Sequence, residues 1–508
     1  MSFIESLFSR LCCLPLALFS FVGTTSELLA AADKPHMLLI IADDVSWDDL
    51  GCYGNSFART PHIDALAKTG RRFDQAYLTA SSCSPSRSSI ITGRYPHNNG
   101  KASELHQPIA AHLPWFPQLL RQAGYFTAIV GKHHMSVDGP ASPSANNDKP
   151  FDVVDAGKAI GNSGAHGNWR KTLQERPRDK PFFGWFAALD AHRDWDADRE
   201  WDDAKYGPKH RKGQVVVPPF LIDDENTRED LASYYNEITR FDYFVGQVVA
   251  ELKDQQIFDD TLIFILADNG RPFPRAKTRL HDSGMKTYLI AHWPKGVDSP
   301  GTPSTSLVSS IDLAPTFLEA AGVQVPETIQ GISLLPVFKT ADAPVRRHAF
   351  SEHNWHDYEA HGRAVRSEGY LYIRNNRPQF AWQGPADSVR SPSHRSLLAA
   401  KSSNSLSAPQ ADVLTIPRRN EELYRTEGDP NQVNNLVDWA EHEEVKKRLA
   451  ALLDRWVDET GDDVPEKLSA DTFDRESGQA LKKRSKALLG TPAGEQRRAA
   501  FVNAPGPR

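Results

Sequence analysis

Cysteine is scarce in this 508-residue chain, which has four, two of them (Cys12 and Cys13) close to the N-terminus. A framework of several disulfides is therefore excluded. A zinc centre is excluded too, because no cysteine or histidine cluster has zinc-ligand spacing. Long apolar runs are missing: the stretch from Leu11 to Val22 is too short to span a bilayer comfortably, and no later segment looks transmembrane. There is no cationic excess. With a formal net charge of -6 the chain is not a general nucleic-acid binder, and any anionic ligand must be met by a local cationic pocket. Repeats of solenoid or propeller period are absent as well. What remains is a globular composition, 40% hydrophobic and 24% charged, long enough for one large domain and a smaller one.

The Leu11–Val22 run follows Arg10 and precedes Ala30-Ala31-Ala32, small residues suited to cleavage. Residues 1–32 therefore read as a signal peptide and the protein as exported, periplasmic or secreted. Two cysteines, Cys52 and Cys83, are left in the mature chain. An exported protein might pair them, but the residues around Cys83 point to another fate.

His36–Ala42 and Thr261–Ala267 are continuous apolar runs of buried-strand type. The first ends in Asp43-Asp44 and the second in Asp268-Asn269-Gly270. Shorter runs lie at Phe126–Val130, Phe182–Leu189 and Tyr288–Trp293. Between them Leu231, Tyr234, Ile238, Phe241, Val245, Val248 and Leu252 mark one face of a helix, with Asn226 and Glu229 as a capping signal. Alternating strands and helices predict an α/β fold with a mostly parallel sheet between helices. Residues 33–340 form the catalytic domain on this reading. Residues 341–465 form a smaller α+β subdomain, with strand-like pieces at His348–Ser351 and Gly369–Arg374. Residues 384–420, rich in Ser, Pro and Ala, read as a long insertion or loop, and Val445, Leu449, Leu452 and Trp456 mark a closing helix. Residues 466–508, with Lys482-Lys483-Arg484 and Arg497-Arg498, read as a polar, solvated tail.

The chemistry concentrates at strand ends, where open α/β sheets place their sites. Asp43, Asp44, Asp268 and Asn269 are hard oxygen donors, suited to calcium first and magnesium second. Lys132 and His134 follow the Phe126–Val130 strand in Gly131-Lys132-His133-His134. His192 follows Phe182–Leu189, and Lys277 lies shortly after Asp268. Ser82-Cys83-Ser84-Pro85-Ser86-Arg87, with Thr92-Gly93-Arg94, is the most specific stretch. Pro85 fits a first helical turn, which would put Cys83 at a helix N-terminus, a favourable place for an anion.

Cys83, Pro85, Arg87, Thr92 and Gly93 together resemble the C-x-P-S-R-x-x-x-x-T-G signature of type I sulfatases, members of the alkaline-phosphatase-like superfamily. The resemblance implies that a formylglycine-generating enzyme oxidises Cys83 to formylglycine (3-oxoalanine). The aldehyde's hydrate would then attack sulfur, and its second hydroxyl would expel sulfate. It assigns Asp43, Asp44, Asp268, Asn269 and the modified Cys83 to one metal site, with Arg87 pairing the hydrate and the carboxylates. His134, rather than its neighbour His133, would take the hydrate's proton. His192 or Lys277 would protonate the leaving group, and Lys132 would hold sulfate oxygens. His356, near His353, Trp355, Asp357, Arg363 and Arg366, is a candidate sugar contact, against the alternative of packing between subdomains.

Asp268-Asn269-Gly270-Arg271-Pro272-Phe273-Pro274 and the ending Glu422-Leu423-Tyr424, Asp429-Pro430, Asn434-Asn435-Leu436 resemble the heparan N-sulfatase (sulfamidase) branch. That branch has arginine where this chain has Lys277 and proline where it has Ala191, and residues 282–286 lack the usual G-G-x-R-x-P. An N-sulfoglucosamine substrate and an O-sulfated one, such as an algal glycan, are both compatible with these differences. Phosphate or phosphonate ester hydrolysis on the same fold would normally need two metals and a Ser or Thr nucleophile. A non-catalytic glycan-binding relative would not keep every one of these groups. Exo or endo action and oligomeric state are not encoded in these motifs.

Overall fold

A computed structural model describes residues 34–135, 149–156, 165–467, 469–481 and 490–508. The apolar N-terminal run, its cleavage site and Lys482-Lys483-Arg484 lie outside these residues. Among the described residues no helix is long and apolar enough to cross a membrane. Residues 35–508 form one compact unit built on two sheets.

The larger sheet has eight strands: β1 (His36–Ala42), β2 (Arg71–Tyr77), β3 (Phe126–Gly131), β4 (Val153–Asp155), β5 (Phe182–Ala187), β6 (Thr261–Ala267), β7 (Leu289–His292) and β8 (Ser304–Ser309), in the order β4-β3-β5-β1-β6-β7-β2-β8. Only β7 runs antiparallel to its neighbours, β6 and β2. β1 and β6, the two runs ending in acidic residues, are adjacent, parallel and central. Both are buried on each face, so they read as unbroken apolar runs. Met37, Leu39 and Ile41 point into one core layer with Trp185, Phe264 and Phe317. Leu38 and Ile40 point into the other, against the long Glu225–Asp254 helix.

All seven stripe residues of that helix are buried. At roughly 1.5–3 kcal/mol for each large side chain the stripe contributes on the order of 10–20 kcal/mol, an upper figure because unfolded chains are partly collapsed. Its cap is Asp224, whose carboxylate accepts from the Thr227 amide at 2.9 Å. The Asn226–Glu229 reading was therefore two residues late.

The second sheet is antiparallel and C-terminal: β9 (Ala349–His353), β10 (Gly362–Ser367), β11 (Tyr370–Asn375) and β12 (Glu421–Arg425), in the order β12-β11-β10-β9. The Glu443–Thr460 helix covers it through Val445, Leu449, Leu453 and Trp456. Leu453, not Leu452, is the fully buried position. Trp456 stacks on Phe350 with ring centroids 5.0 Å apart.

Two expectations fail. Residues 384–420 hold three helices, Ala386–Val389, Pro392–Ser402 and Ala408–Asp412, with proline just before the first, at the start of the second and as the second residue of the third. Pro and Ser, read as loop composition, act here as helix-start residues. The C-terminal stretch is not a solvated tail over its described residues. Buried Arg94 donates to the Val502 carbonyl at 2.8 Å and to Asn503 Oδ1 at 3.0 Å, and Asn98 Nδ2 donates to the Ala499 carbonyl at 2.8 Å. Buried donors need acceptors, and the last residues supply them to the loop after the Cys83–Thr92 helix.

Candidate active site

The parallel register sets Ala42 beside Ala267, so Asp43-Asp44 and Asp268-Asn269 leave the sheet side by side. The Asp44 backbone amide donates to Asp268 Oδ1 at 3.3 Å, and Asn269 Nδ2 donates to Asp44 Oδ1. Asp44 has φ 62°, a left-handed conformation that costs a non-glycine residue about 1 kcal/mol or more. Local strain thus sits at the site.

Cys83 opens the Cys83–Thr92 helix, whose first turn holds Pro85. Its Sγ lies 3.7 Å from Asp43 Oδ1 and 3.9 Å from Asp44 Oδ1. Leu105 and Trp355 pack against it. Cys83 is buried and, like Cys52, unpaired. Burial pushes its thiol up to about 12, against the pull of Lys132 and Lys277. One turn on, buried Arg87 donates through Nε to Asp268 Oδ2 at 2.6 Å and through a terminal nitrogen to the Lys132 carbonyl at 2.7 Å.

Two ammonium groups face the carboxylates. Lys132 pairs with Asp43, and Lys277 Nζ lies 2.7 Å from Asp44. Asp43 would be raised by burial, but Lys132, His192, Arg87 and Lys277 together hold it well below the usual carboxylate range. Burial carries Asp44 up to about 7 against Lys277, with the charge of Asp43 adding to the rise. Burial likewise lifts Asp268 to about 6 against Arg87. Three carboxylates, one amide oxygen and a helix N-terminal residue therefore converge in a buried pocket.

That donor set fits a hard divalent cation. Asn269 Oδ1 is buried with no hydrogen-bond partner among the described residues, and ligand atoms of Asp43, Asp44 and Cys83 lie within 4.8 Å of one another. Sulfur is the one soft donor, and an oxygen in its place would make the set uniform.

The histidines surround this centre. His134 pairs through Nε2 with His106, and burial followed by Lys132 holds it well below the ordinary imidazole value. His192 is lowered mainly by burial, then by Lys277. Its Nε2 lies 4.0 Å from Asp387 Oδ2. His356 Nδ1 is 2.6 Å from Oγ of Ser82, the residue before Cys83, and burial with Lys277 nearby holds it well below the ordinary imidazole value. His133 Nδ1 is buried with no partner among the described residues.

A family model described as sulfatase matches residues 35–323, the sheet and every one of these strand-end groups. The chain belongs to the sulfatase family. A second model, N-sulphoglucosamine sulphohydrolase, C-terminal, matches residues 276–383. Human N-sulphoglucosamine sulphohydrolase is 30% identical over 85% of this sulfatase and 92% of its own length. An ulvan-active sulfatase of Formosa agariphila is 28% identical over 87% of this chain and 78% of its own. A protein solved with its substrate D-glucosamine-2-N,6-O-disulfate superposes with a TM-score of 0.62 at 19% identity, covering 84% of this chain and 98% of that one. That likeness establishes the alkaline-phosphatase-like fold. As a family member the enzyme is a sulfuric ester hydrolase.

Every strand-end residue singled out in the sequence reaches the pocket, and His356 arrives from the C-terminal portion. Arg363 and Arg366 do not. They are buried in ion pairs with Asp462 and Asp282 and are packing residues of this sulfatase. Two groups were missed: His106 and Asp387. Asp387 lies in the segment read as loop, where its short helix is held by Asp357, whose Oδ2 accepts from the Ala386 amide at 3.1 Å. Burial would raise Asp387, but Lys277 and His192 hold it below the usual range. The Pro385-Ala386-Asp387-Ser388 sequence offered only a weak helix-start signal.

Proposed function

We propose that this protein is an exported sulfatase that removes sulfate from saccharides, using formylglycine made from Cys83 and a calcium ion held by Asp43, Asp44, Asp268 and Asn269. The observation that carries the reading is the placement of Cys83: first residue of its helix and within 4 Å of Asp43 and Asp44, where burial pushes its thiol up and away from the reactive thiolate. The burial of Cys83 supports conversion by a formylglycine-generating enzyme before folding closes the site. When bound, the cation and the aldehyde hydrate supply sulfate polarisation and a nucleophile with an internal exit.

This chain's own residues do the rest. Lys132 and Lys277 supply positive charge for the sulfate oxygens on either side of the carboxylate pair. Arg87 holds Asp268 and keeps the helix N-terminus against the strand ends. His134, neutral through burial, accepts the hydrate's proton. His192, beside Asp387, delivers a proton to the leaving group, with Lys277 as the alternative donor. His356 fixes Ser82 and with it the start of the nucleophile's helix.

The 30% identity to human N-sulphoglucosamine sulphohydrolase and the C-terminal match favour an N-sulfoglucosamine substrate. Lys277, an ammonium where the sulfamidase branch has a guanidinium, favours an O-sulfate, in keeping with the ulvan-active relative. Sulfate release from N-sulfoglucosamine, 6-O-sulfated hexosamines and ulvan oligosaccharides separates the two. Activity on the first alone supports sulfamidase action, and release from none of them refutes saccharide desulfation.

A further inference from the structure

Beyond His192 the reaction pocket is walled by Asp387, and the far side of Asp387 lines a second, open cleft of about 370 Å3. That volume lies within the roughly 300–1,000 Å3 typical of small-ligand sites. Because one carboxylate belongs to both walls, a molecule whose sulfate sits at Cys83 and whose leaving oxygen or nitrogen faces His192 would continue into this cleft.

The lining has the chemistry of a sugar site. Trp195 is locked in place, its Nε1 donating to Asp230 at 2.8 Å and the Arg193 guanidinium lying 4.4 Å from its ring. It offers a rigid, partly apolar wall at little entropic cost. Asp194 and Asp387 are carboxylates, acceptors for hydroxyl groups. Arg193 is committed to Asp230 through two bonds of 2.7 and 2.8 Å. Arg199 and Arg390 are not: both are exposed, and among the described residues neither is ion-paired with a carboxylate. The Arg390 guanidinium donates to the Gly478 carbonyl at 2.5 Å and lies 5.7 Å from the centre of the Phe473 ring. By contrast, the guanidiniums around the centre, Arg87, Arg240 and Arg271, are each tied to carboxylates. Two exposed guanidiniums without a carboxylate partner among the described residues, beside hydroxyl acceptors and an indole, suit a polyhydroxylated ring that carries its own anion.

We propose that this cleft is a subsite for the sugar next to the one being desulfated, with Arg199 and Arg390 binding that neighbour's carboxylate or sulfate, so that the enzyme is built for oligosaccharides. The inference rests on the saccharide-sulfatase reading of the adjoining pocket.

The test uses the full-length enzyme, inactivated as Cys83→Ala to trap ligand, with calorimetry on N-sulfoglucosamine and on disaccharides in which its neighbour is a uronate, a sulfated hexose or a neutral hexose. Ulvan-type O-sulfated counterparts run in parallel. The anionic-neighbour disaccharides should bind at least tenfold tighter than the monosaccharide, and R199Q with R390Q should erase that gain without moving the melting temperature. The uronate and sulfated arms show which anion is preferred. In the active enzyme the same double variant should raise KM for the disaccharide about tenfold and leave kcat/KM for the monosaccharide unchanged. Equal affinity for mono- and disaccharides, or an undiminished gain in the double variant, overturns the subsite. If the active enzyme releases sulfate from no saccharide and the trapped form binds none, the reading of the main pocket fails, a result distinct from equal binding.

Discussion

Leaving Cys83 unconverted is the most informative perturbation, because the structure sets its size. With burial pushing the thiol up to about 12, almost none of it is thiolate at pH 7.5. A hard, oxygen-seeking ion such as calcium offers sulfur little help, and a thiol adduct of sulfate has no second hydroxyl to expel it. Unconverted enzyme should therefore turn over at least about 10,000-fold more slowly than converted enzyme. Expression with and without a formylglycine-generating enzyme gives the two forms. Mass analysis of the tryptic peptide Phe73–Arg87, in which the side chain changes from CH2SH to CHO, measures the converted fraction. Sulfate release should rise in proportion to that fraction, and Cys83→Ala should give none while unfolding like the parent. Preparations carrying only the thiol mass, yet as active as converted enzyme, would refute the reasoning outright.

Three further outcomes are expected. Arg87→Met strands Asp268 in a buried site and should cost about 3–5 kcal/mol in urea unfolding of the metal-free protein, part of it recovered with calcium; an unchanged midpoint would show that the pair is not needed. Asp44 at about 7 and Asp268 at about 6 lie above the ordinary 3.8, so the folded chain holds protons that the unfolded chain has already released. Metal-free stability should accordingly fall as pH rises from about 4 to 7, whereas metal affinity should rise over the same interval as proton competition is lifted. Calorimetric titration with calcium at pH 5 and pH 8 checks the second part, and equal affinities would contradict it. Trp456→Ala opens the space between Phe350, Tyr95 and His97 and should destabilise by about 3–5 kcal/mol in the same unfolding assay; a loss under 1 kcal/mol would mean that the helix does not anchor the second sheet.

The site was legible to the extent that its residues lie in local patterns. β1 and β6 match their apolar runs from His36 to Ala42 and from Thr261 to Ala267, since a strand buried on both faces announces itself by unbroken hydrophobicity. The acidic pairs then followed by chain position alone. Cys83, Pro85 and Arg87 form a one-turn motif, and Lys132 comes directly after β3. The misreadings share a different origin. Asp224 outcompeted Asn226 as a cap because a single carboxylate bond to Thr227 decides where a helix begins. In residues 384–420 the same Pro and Ser that suggest a loop start three helices.

Local chemistry in the chain thus determined the nucleophile, the oxygen donors and the sheet that carries them, because each depends on neighbours within a turn or a strand. Tertiary packing alone decided what stands around them. Asp387 meets His192 from 195 positions further along the chain, on a short helix held by Asp357. His106 reaches His134 from 28 residues away, its amide donating to Ser84 Oγ at 2.7 Å, and His356 reaches Ser82 from beyond the first strand of the second sheet. The C-terminal residues are ordered by the buried donors of Arg94 and Asn98. Contacts of that kind arise from desolvation and shape summed over distant segments, and no periodicity or spacing in the sequence encodes them.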